Sequence, residues 1–317
     1  MALKLEEAID RLNTRYYEHT WDGNPEGQDE EARLTTPWPG RPDESIMVSV
    51  HKDVGIFQKF HRHDFFFINF ALEGDFEALS QSDERRVTIR EGEAYLAQPY
   101  SGYAVVAAPG QKNTICAILI QRAAFFREFY SVLAESPRLF HFFLEAADNR
   151  YADSYLHVRF EDDPLARQLV EIMICEYATD PESSQALLRP LVLALLLAIT
   201  RGAAPEEEPV KVPLAQQIQD YILRHYQEAS LKKLGEVFGY HPTYISALIR
   251  QETGKSFSQL KLEARMQNGL YLLKSSGLSV EEVAALLGYT SPSNFYKTFK
   301  ACFGLSPRQY LEKQPAE

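Results

Sequence analysis

The sequence contains little cysteine: its 3 residues lie far apart, at positions 116, 175 and 302. This scattered, odd set has no CxxC spacing and cannot supply a disulfide framework, which is typical of a reducing compartment. Long apolar runs are also scarce. The most apolar one, LVLALLLAI at 191–199, has about half of the roughly 20 residues that a membrane-spanning helix needs. We therefore expect it to be a buried or dimer-interface helix, and the protein to have no membrane partner.

The N-terminal segment MALKLEEAIDRL has neither the cationic start nor the apolar block of a signal peptide. It predicts a cytoplasmic protein. The net charge of −11 argues against a nucleic-acid partner, but the charge is distributed unevenly along the chain. Residues 211–317 hold 13 Lys and Arg against 9 Asp and Glu, a net charge of +4, whereas residues 1–210 hold 20 against 35, a net charge of −15. An acidic body is thus followed by a basic C-terminal segment, and that segment remains a candidate for binding nucleic acid.

Composition divides the chain into five segments and predicts an α+β protein. Residues 1–45 begin with a short helix and continue as an arm rich in Pro, Gly and acidic residues. Residues 46–120 contain short β-branched and aromatic runs separated by turn residues, which predict a sandwich or small barrel. Residues 121–204 have apolar residues three and four apart and are predicted helical. A linker at 205–213 leads to a dense helical array at 214–317.

An internal repeat occupies the helical array. The stretches LKKLGEVFGYHPTYISALIRQETG and VEEVAALLGYTSPSNFYKTFKACFG each contain an apolar-periodic helix, a Gly-Tyr turn and a second helix that ends at a glycine. With one residue inserted after the turn, Ile245 and Ile249 align with Phe295 and Phe299. This is the pattern of a helix-turn-helix, whose second helix enters a DNA groove. A repeated pair of protein-binding helices, with solvated lysines, is the alternative.

Capping residues mark where the helices of the array begin. An N-cap serine followed three residues later by Glu or Gln forms a capping box, and a proline suits the first helical position. The predicted caps are Ser279 with Glu282, Ser256 with Gln259, Ser306 with Gln309, Ser291 before Pro292 and, less ideally, His241 before Pro242.

The stretch SVEEVAALLGYTSPSNFYKTFKACFGLSPRQYL resembles the signature of the DNA-binding domain of the AraC family of bacterial transcription regulators. The resemblance covers residues 214–313, including the family's seven-helix spacing. It implies a double helix-turn-helix domain whose two recognition helices read successive major-groove segments, roughly 34 Å apart on one face of the DNA. It also implies a homodimer without enzymatic activity, with double-stranded DNA and RNA polymerase as partners.

Carried over by position, the resemblance implies a set of DNA-contacting residues. Asn294 can pair with adenine, Lys297 can approach guanine or a phosphate, and Ala247 can contact only a thymine methyl group. We expect the second recognition helix to carry more of the electrostatic attraction. On the helix that joins the two units, Lys261 and Arg265 are predicted to contact phosphates. The predicted contacts of the recognition helices are Thr243, Ser246, Ala247 and Arg250 in the first and Ser293, Asn294, Tyr296, Lys297 and Lys300 in the second.

In the β-rich segment, KFHRHDFFFINF places His61 and His63 two apart, on one face of a predicted strand. Metal cupins add a glutamate and a third histidine, but the matching positions hold Phe67 or Ile68 and Val105. A stable metal site needs three or four ligands, so no metal or other cofactor is predicted.

The stretches FHRHDFFFINFALEGDFE and REGEAYLAQPYSGY resemble the cupin-like sensor domain of AraC-family regulators. Two interpretations of the histidines remain open. They hydrogen-bond to backbone at the mouth of the barrel, or His61, His63 and Tyr95 or Tyr100 line a pocket for a small-molecule effector. Sugars are a common effector class in the family. Trp38 closes over this pocket or packs in an ordinary way.

Alternatives also remain open for the apolar helices and for the chain as a whole. The apolar helices of residues 162–200 form a dimer interface, as the resemblance implies, or an intramolecular hairpin core. The chain as a whole is a regulator that responds to an effector, a regulator whose barrel binds a protein partner or nothing, or a metal-dependent cupin enzyme fused to DNA-binding helices.

Overall fold

The structure is a computed structural model. It describes residues 3–16, 35–52, 60–80, 86–106, 112–133, 139–140, 142, 155–160, 163–202 and 213–313. The chain divides into two compact units, one made of residues 1–132 and 141–204 and the other of residues 133–140 and 205–317. The predicted arm, β-rich segment and helical segment thus belong mainly to one unit, and most of the predicted linker lies outside the described residues.

The described residues of the N-terminal unit form two antiparallel sheets and a short parallel pair. A five-stranded sheet has the order β10-β7-β4-β9-β2, a three-stranded sheet has the order β6-β5-β8, and β1 pairs with β3. The strands are β1 Thr35–Thr36, β2 Ile46–Lys52, β3 Arg62–His63, β4 Phe66–Glu73, β5 Phe76–Ser80, β6 Arg86–Ile89, β7 Ala94–Ala97, β8 Tyr103–Val106, β9 Thr114–Ile120 and β10 Tyr155–Val158.

The central strands are buried on both faces. Seven of the eight residues of β4 and all seven of β9 are buried, so their sequences are continuous apolar runs rather than alternating ones. β4 pairs with β9 from Phe66 opposite Ile120 to Glu73 opposite Thr114, with an irregularity between Ala71 and Glu73. This pairing places the aromatic residues of β4 in the middle of the unit.

The α+β class predicted from the sequence is confirmed, but the described strands form separate sheets and not a closed barrel. A second difference lies in the segment predicted as helical. Tyr155–Val158 is a strand that pairs with β7 at the edge of the five-stranded sheet, with Leu156 opposite Leu96. Four residues are too few to show a period of two against the helical patterns around them.

Among the described residues of this unit, four helices have defined bounds. α1 packs against β2 and α3, and Lys52 Nζ lies 2.9 Å from a carboxylate oxygen of Asp10. In α4, Val192, Leu195 and Leu196 are buried within the chain, so the apolar run of 191–199 contributes to an intramolecular core. Within the described ranges, no helix has the length and apolar character needed to cross a membrane. The helices are α1 Leu5–Tyr16, α2 Arg122–Leu133, α3 Leu165–Thr179 and α4 Gln185–Gly202.

The C-terminal unit contains seven helices within residues 213–313, the number that the resemblance implied. Buried apolar residues at the repeated positions form its core, among them Ile245, Ile249, Phe295 and Phe299. The predicted capping boxes at Ser256 and Ser279 are both present. The helices are α5 Leu214–Arg224, α6 Leu231–Phe238, α7 Pro242–Thr253, α8 Phe257–Ser275, α9 Val280–Leu286, α10 Pro292–Phe303 and α11 Pro307–Lys313.

Candidate nucleic-acid interface and candidate effector cluster

The first helix-turn-helix consists of α6, a tight turn and α7. Gly239 ends α6 in the left-handed conformation, with φ of 74°. Gly235 lets the turn close, because a Cβ atom there would lie 2.7 Å from the carbonyl oxygen of Tyr240. The ring of His241 caps α7 by accepting a hydrogen bond from the Thr243 backbone N–H at 3.3 Å. The residues of the turn therefore set where the recognition helix α7 begins.

The second helix-turn-helix consists of α9 and α10. Its first helix begins at the capping box of Ser279 and Glu282. Ser291 is the N-cap residue of α10 and Pro292 follows it, as predicted, but among the described residues the Ser291 side chain makes no hydrogen bond to the start of the helix. Proline at the first position and a glycine at the C-terminal end, Gly304 with φ of 77°, still delimit α10.

Both recognition helices present most of the predicted DNA contacts to solvent. Ser246 and Tyr296 are half-buried, and the Tyr296 hydroxyl lies 3.5 Å from a carboxylate oxygen of Glu281. The cations that face outward on these helices are one arginine on α7 and two lysines on α10. The exposed predicted contacts are Thr243, Ala247, Arg250, Ser293, Asn294, Lys297 and Lys300.

Lys261 and Arg265, which are predicted to contact phosphates, bind groups within the unit in this structure. Lys261 Nζ donates to the carbonyl oxygen of Ala229 at 2.7 Å. The Arg265 Nε donates to the carbonyl oxygen of Leu287 at 2.8 Å, and its guanidinium carbon lies 3.6 Å from the centre of the Tyr289 ring. These contacts tie α8 to the chain before α6 and to the turn of the second helix-turn-helix.

Gln227, which the sequence analysis did not identify, completes this connection. Its side-chain amide donates to the carbonyl oxygen of Leu286 at 2.7 Å and so links the segment before the first helix-turn-helix to the second one. α8 also packs closely here, because a Cβ atom on Gly269 would lie 2.8 Å from a methyl group of Leu287. We call Gln227, Lys261 and Arg265 the bridging residues. No periodicity signals such a role, because each bond joins residues more than twenty positions apart.

In the N-terminal unit, three of the predicted effector residues, His61, His63 and Tyr95, belong to a cluster of closely packed rings. The His61 and His63 ring centres are 4.8 Å apart, and the His63 Nε2 lies 2.9 Å from the Tyr103 hydroxyl. Tyr103 stacks on Phe67 at 4.3 Å and lies 6.2 Å from Tyr95. Tyr103, which no pattern of the sequence identifies, faces the histidines from β8. We call His61, His63, Phe67, Tyr95 and Tyr103 the ring cluster.

Burial determines the electrostatics of the ring cluster. Tyr95 and His63 are 1% and 4% exposed. Burial, followed by repulsion from His61, lowers the pKa of His63 well below its usual value, so the ring is neutral near pH 7. Within the described residues, no group of three or more His, Cys, Asp and Glu side chains is placed to hold a metal ion. The cluster therefore combines buried aromatic rings with one neutral His–Tyr pair.

Tyr100 and Trp38 lie beside the ring cluster in different ways. The Tyr100 hydroxyl accepts a hydrogen bond from Arg122, and the Tyr100 backbone N–H donates to the His63 carbonyl oxygen at 2.6 Å. Tyr100 has φ of 67°, a left-handed conformation that is unusual for a non-glycine residue. Trp38 packs edge-on against Phe65 at 5.5 Å, and its indole N–H donates to the Arg41 carbonyl oxygen at 3.2 Å.

Comparison with known proteins locates relatives of the C-terminal unit. A family model described as a helix-turn-helix domain matches residues 234–313. The transcriptional regulator GadX of Escherichia coli O6:H1 is 34% identical over 90 residues, which are 28% of this chain and 32% of GadX. The porin thermoregulatory protein EnvY of Escherichia coli K12 is 32% identical over 122 residues, which are 38% of this chain and 44% of EnvY.

Among solved structures, the C-terminal domain of AraT, a response regulator from Geobacillus stearothermophilus, is 33% identical to this chain. The match covers 32% of this chain and 86% of that domain, with a TM-score of 0.30. The chain spans about a third to less than half of the length of the two curated relatives, GadX and EnvY. Of these relatives, GadX is named as a transcriptional regulator.

Proposed function

We propose that this chain, which belongs to the AraC family of transcriptional regulators, binds double-stranded DNA with α7 and α10 and thereby controls transcription. The observation that carries the proposal is the pair of helix-turn-helix units, each with a solvent-facing recognition helix. The two helices lie in one compact unit. Because contacts within the unit hold the two recognition helices relative to each other, the helices can read two successive major-groove segments.

The predicted contacts divide by their chemistry. Asn294 is exposed and carries the donor and acceptor that a bidentate bond to adenine requires. Lys297 and Lys300 are exposed cations that neutralise phosphates or approach guanine. On α7, Arg250 is the exposed cation, while Thr243 and Ala247 offer a hydroxyl and a methyl group. The second helix thus contributes more to electrostatic attraction than the first.

The bridging residues have a positioning role in this proposal. The Lys261 ammonium and the Arg265 guanidinium already bind carbonyl oxygens, and the Arg265 side chain also covers the Tyr289 ring. An arginine held in this way contributes its charge to the surface, but the bonds that it makes lie inside the unit. We infer that these residues hold the second helix-turn-helix against α8 so that both recognition helices meet the same duplex.

We also propose that the N-terminal unit binds a small organic effector beside the ring cluster. Aromatic faces with a few polar groups are typical of small-molecule sites, and the His63–Tyr103 pair supplies such groups. The effector changes the disposition of the DNA-binding units, which requires different affinities for the two states. A homodimer through α3 and α4 is part of the proposal, supported by exposed Ile172, Leu187 and Leu197.

The test of DNA binding is selection of duplexes from a randomised pool by the full chain, followed by affinity measurements across salt concentrations. We expect enrichment of one sequence and a steep fall of affinity with salt, because each neutralised phosphate releases counterions. The double variant Lys297→Ala/Lys300→Ala should bind more weakly. Failure to enrich any duplex, or affinity that is flat in salt, would overturn the proposed function.

The test of effector binding is thermal unfolding of the full chain against a panel of sugars, other small metabolites and divalent metals. A compound at about 100 times its Kd adds about 2.7 kcal/mol to the stability of the state that binds it. The variant Tyr103→Phe keeps the stacked ring and removes the hydroxyl that faces His63. We expect one organic compound to raise the unfolding temperature of the wild type, and to raise that of this variant by less. A shift with metal alone would favour the metal-dependent enzyme instead.

A further inference from the structure

Two exposed aromatic residues stand at the first helix-turn-helix. The Tyr240 and Tyr244 side chains are 45% and 49% exposed, and their ring centres are 5.1 Å apart at an angle of 25°. Large exposed aromatic surface is uncommon on a soluble domain and marks an interaction site more often than isolated apolar residues do. This stacked pair, which we call the tyrosine pair, was not among the contacts predicted from the sequence.

The internal repeat shows which way the pair faces. Ile245 aligns with Phe295, and both are buried with 0% exposure. The residue just before each of them is therefore equivalent, so Tyr244 occupies the register of Asn294. Asn294 is exposed on α10 at a position that the proposed function assigns to DNA. Because the two recognition helices have the same relation to their own cores, Tyr244 lies on the DNA-facing side of α7.

Tyr240 differs in its contacts from the residue at the equivalent position of the second unit. Its equivalent in the second unit is Tyr289, which is covered by the guanidinium of Arg265 at 3.6 Å and lies edge-on to Phe295 at 5.5 Å. Tyr240 instead stacks on Tyr244 and remains exposed. Stacking restricts the rotation of the Tyr244 ring, so little further side-chain entropy is lost when the ring meets a partner.

The chemistry of the pair identifies the part of DNA that it suits. Tyrosine is among the side chains that bond to the DNA backbone, and its hydroxyl can donate to a phosphate oxygen. The recognition helix α7 offers one exposed cation in its last turn, Arg250, so its N-terminal half has no charged group for the backbone among the described residues. We propose that the Tyr244 hydroxyl donates to a DNA backbone phosphate, with Tyr240 as the positioning residue that holds the ring.

This proposal rests on the proposed function, which supplies the DNA, and the test separates the two. The probes are a duplex that the full chain selects from a randomised pool and an unrelated duplex of equal length. Tyr244→Phe removes the hydroxyl and keeps the stacked ring, and Tyr310→Phe in α11 is the matched control outside the recognition helices. We expect Tyr244→Phe to weaken binding to both duplexes by about tenfold, because a hydrogen bond to a charged group is lost.

Two further readouts distinguish a phosphate contact from a structural role. The salt dependence of affinity should stay unchanged in Tyr244→Phe, since no cation is removed, and its thermal unfolding should match that of the wild type. Tyr240→Ala should weaken binding, whereas Tyr240→Phe should restore it, because the stack needs the ring alone.

Other outcomes would overturn the proposal. Wild-type affinity in both Tyr244→Phe and Tyr244→Ala, with Lys297→Ala impaired, would reject the tyrosine contact and leave the proposed function intact. An equal loss in Tyr310→Phe, or a loss confined to the selected duplex, would also reject a backbone phosphate as the partner. If the wild type selects no duplex, the proposed function and the contact fail together.

Discussion

The guanidinium carbon of Arg265 lies 3.6 Å from the centre of the Tyr289 ring, while the Arg265 Nε donates to the Leu287 carbonyl oxygen at 2.8 Å. One side chain of the linking helix thus binds both the backbone and the turn tyrosine of the second helix-turn-helix. A planar guanidinium can stack and donate at the same time, which an ammonium cannot do equally well. The position therefore depends on arginine and not merely on positive charge.

We predict that Arg265→Lys lowers the free energy of unfolding by about 1–2 kcal/mol, since the stacking and the directed hydrogen bond are both weakened. Urea unfolding of the full chain, followed by a signal from the C-terminal unit, measures this. Arg308→Lys, at an exposed arginine of α11, is the control and should change stability by less than about 0.5 kcal/mol. If the variant is as stable as the wild type but binds DNA weakly, Arg265 contacts a DNA phosphate and does not act mainly on stability.

Lys297→Ala and Lys300→Ala should each reduce the slope of log affinity against log salt by about 0.9, because each removes one neutralised phosphate. Titrations of a selected duplex at several salt concentrations give the slope. Lys274→Ala supplies the comparison, since Lys274 is also exposed but lies in the last turn of α8. An equal change in the Lys274 variant would show that the slope reports overall charge and not these contacts.

Asn294→Ala should act on specificity instead of salt dependence. Loss of a bidentate bond to adenine costs about 1–3 kcal/mol of discrimination at one base pair. Affinities for the selected duplex and for its single-base variants show whether the preference disappears at one position. A uniform loss across all the duplexes would assign Asn294 to the backbone.

Gly235→Ala should destabilise the first helix-turn-helix, although alanine is normally the better helix former by about 1 kcal/mol. The new Cβ atom would lie 2.7 Å from the Tyr240 carbonyl oxygen, which belongs to the backbone of the turn. We expect a loss of about 1–3 kcal/mol in unfolding free energy, as for other overpacked sites. Gln251→Ala, at an exposed position of α7, should leave stability nearly unchanged. A stabilised Gly235 variant would mean that the turn can open without cost.

Acid should destabilise the N-terminal unit through its buried histidines. Burial lowers the pKa of His51 from 6.5 to about 3, and burial also lowers that of His63. Between these values the unfolded chain binds the proton and the folded chain does not. The contribution of each neutral histidine to the free energy of unfolding is therefore complete above about pH 6.5. It decreases as the pH falls, by up to about 1.4 kcal/mol per pH unit for each histidine.

Unfolding free energies between about pH 7 and about pH 5 measure this slope. The variant His51→Asn should show a shallower slope than the wild type, whatever its absolute stability. The pKa of Glu91 is lowered from its usual value of 4.5, and that of Asp180 from its usual value of 3.8. Both carboxylates therefore titrate below this pH range. An unchanged slope in the variant would show that His51 accepts a proton in the folded unit.

Much of the C-terminal unit follows from local sequence. The capping boxes at Ser256 and Ser279 and the glycines that end α6, α7 and α10 lie where the pattern predicts them. Each such signal involves residues within a few positions of one another, so it can be read along the chain. The repeat likewise predicts its buried positions, because the helical period is a local property.

The tertiary structure decided what depends on distant parts of the chain. Arg265 and Lys261 donate to carbonyl oxygens 22 and 32 positions away, and no local pattern of the sequence predicts these partners. Tyr103 joins His63 across 40 positions, and Tyr155–Val158 becomes a strand because β7 offers it an edge. A side chain's charge and polarity are fixed by its chemistry, but its partner is fixed by packing, which brings together residues that no local pattern relates.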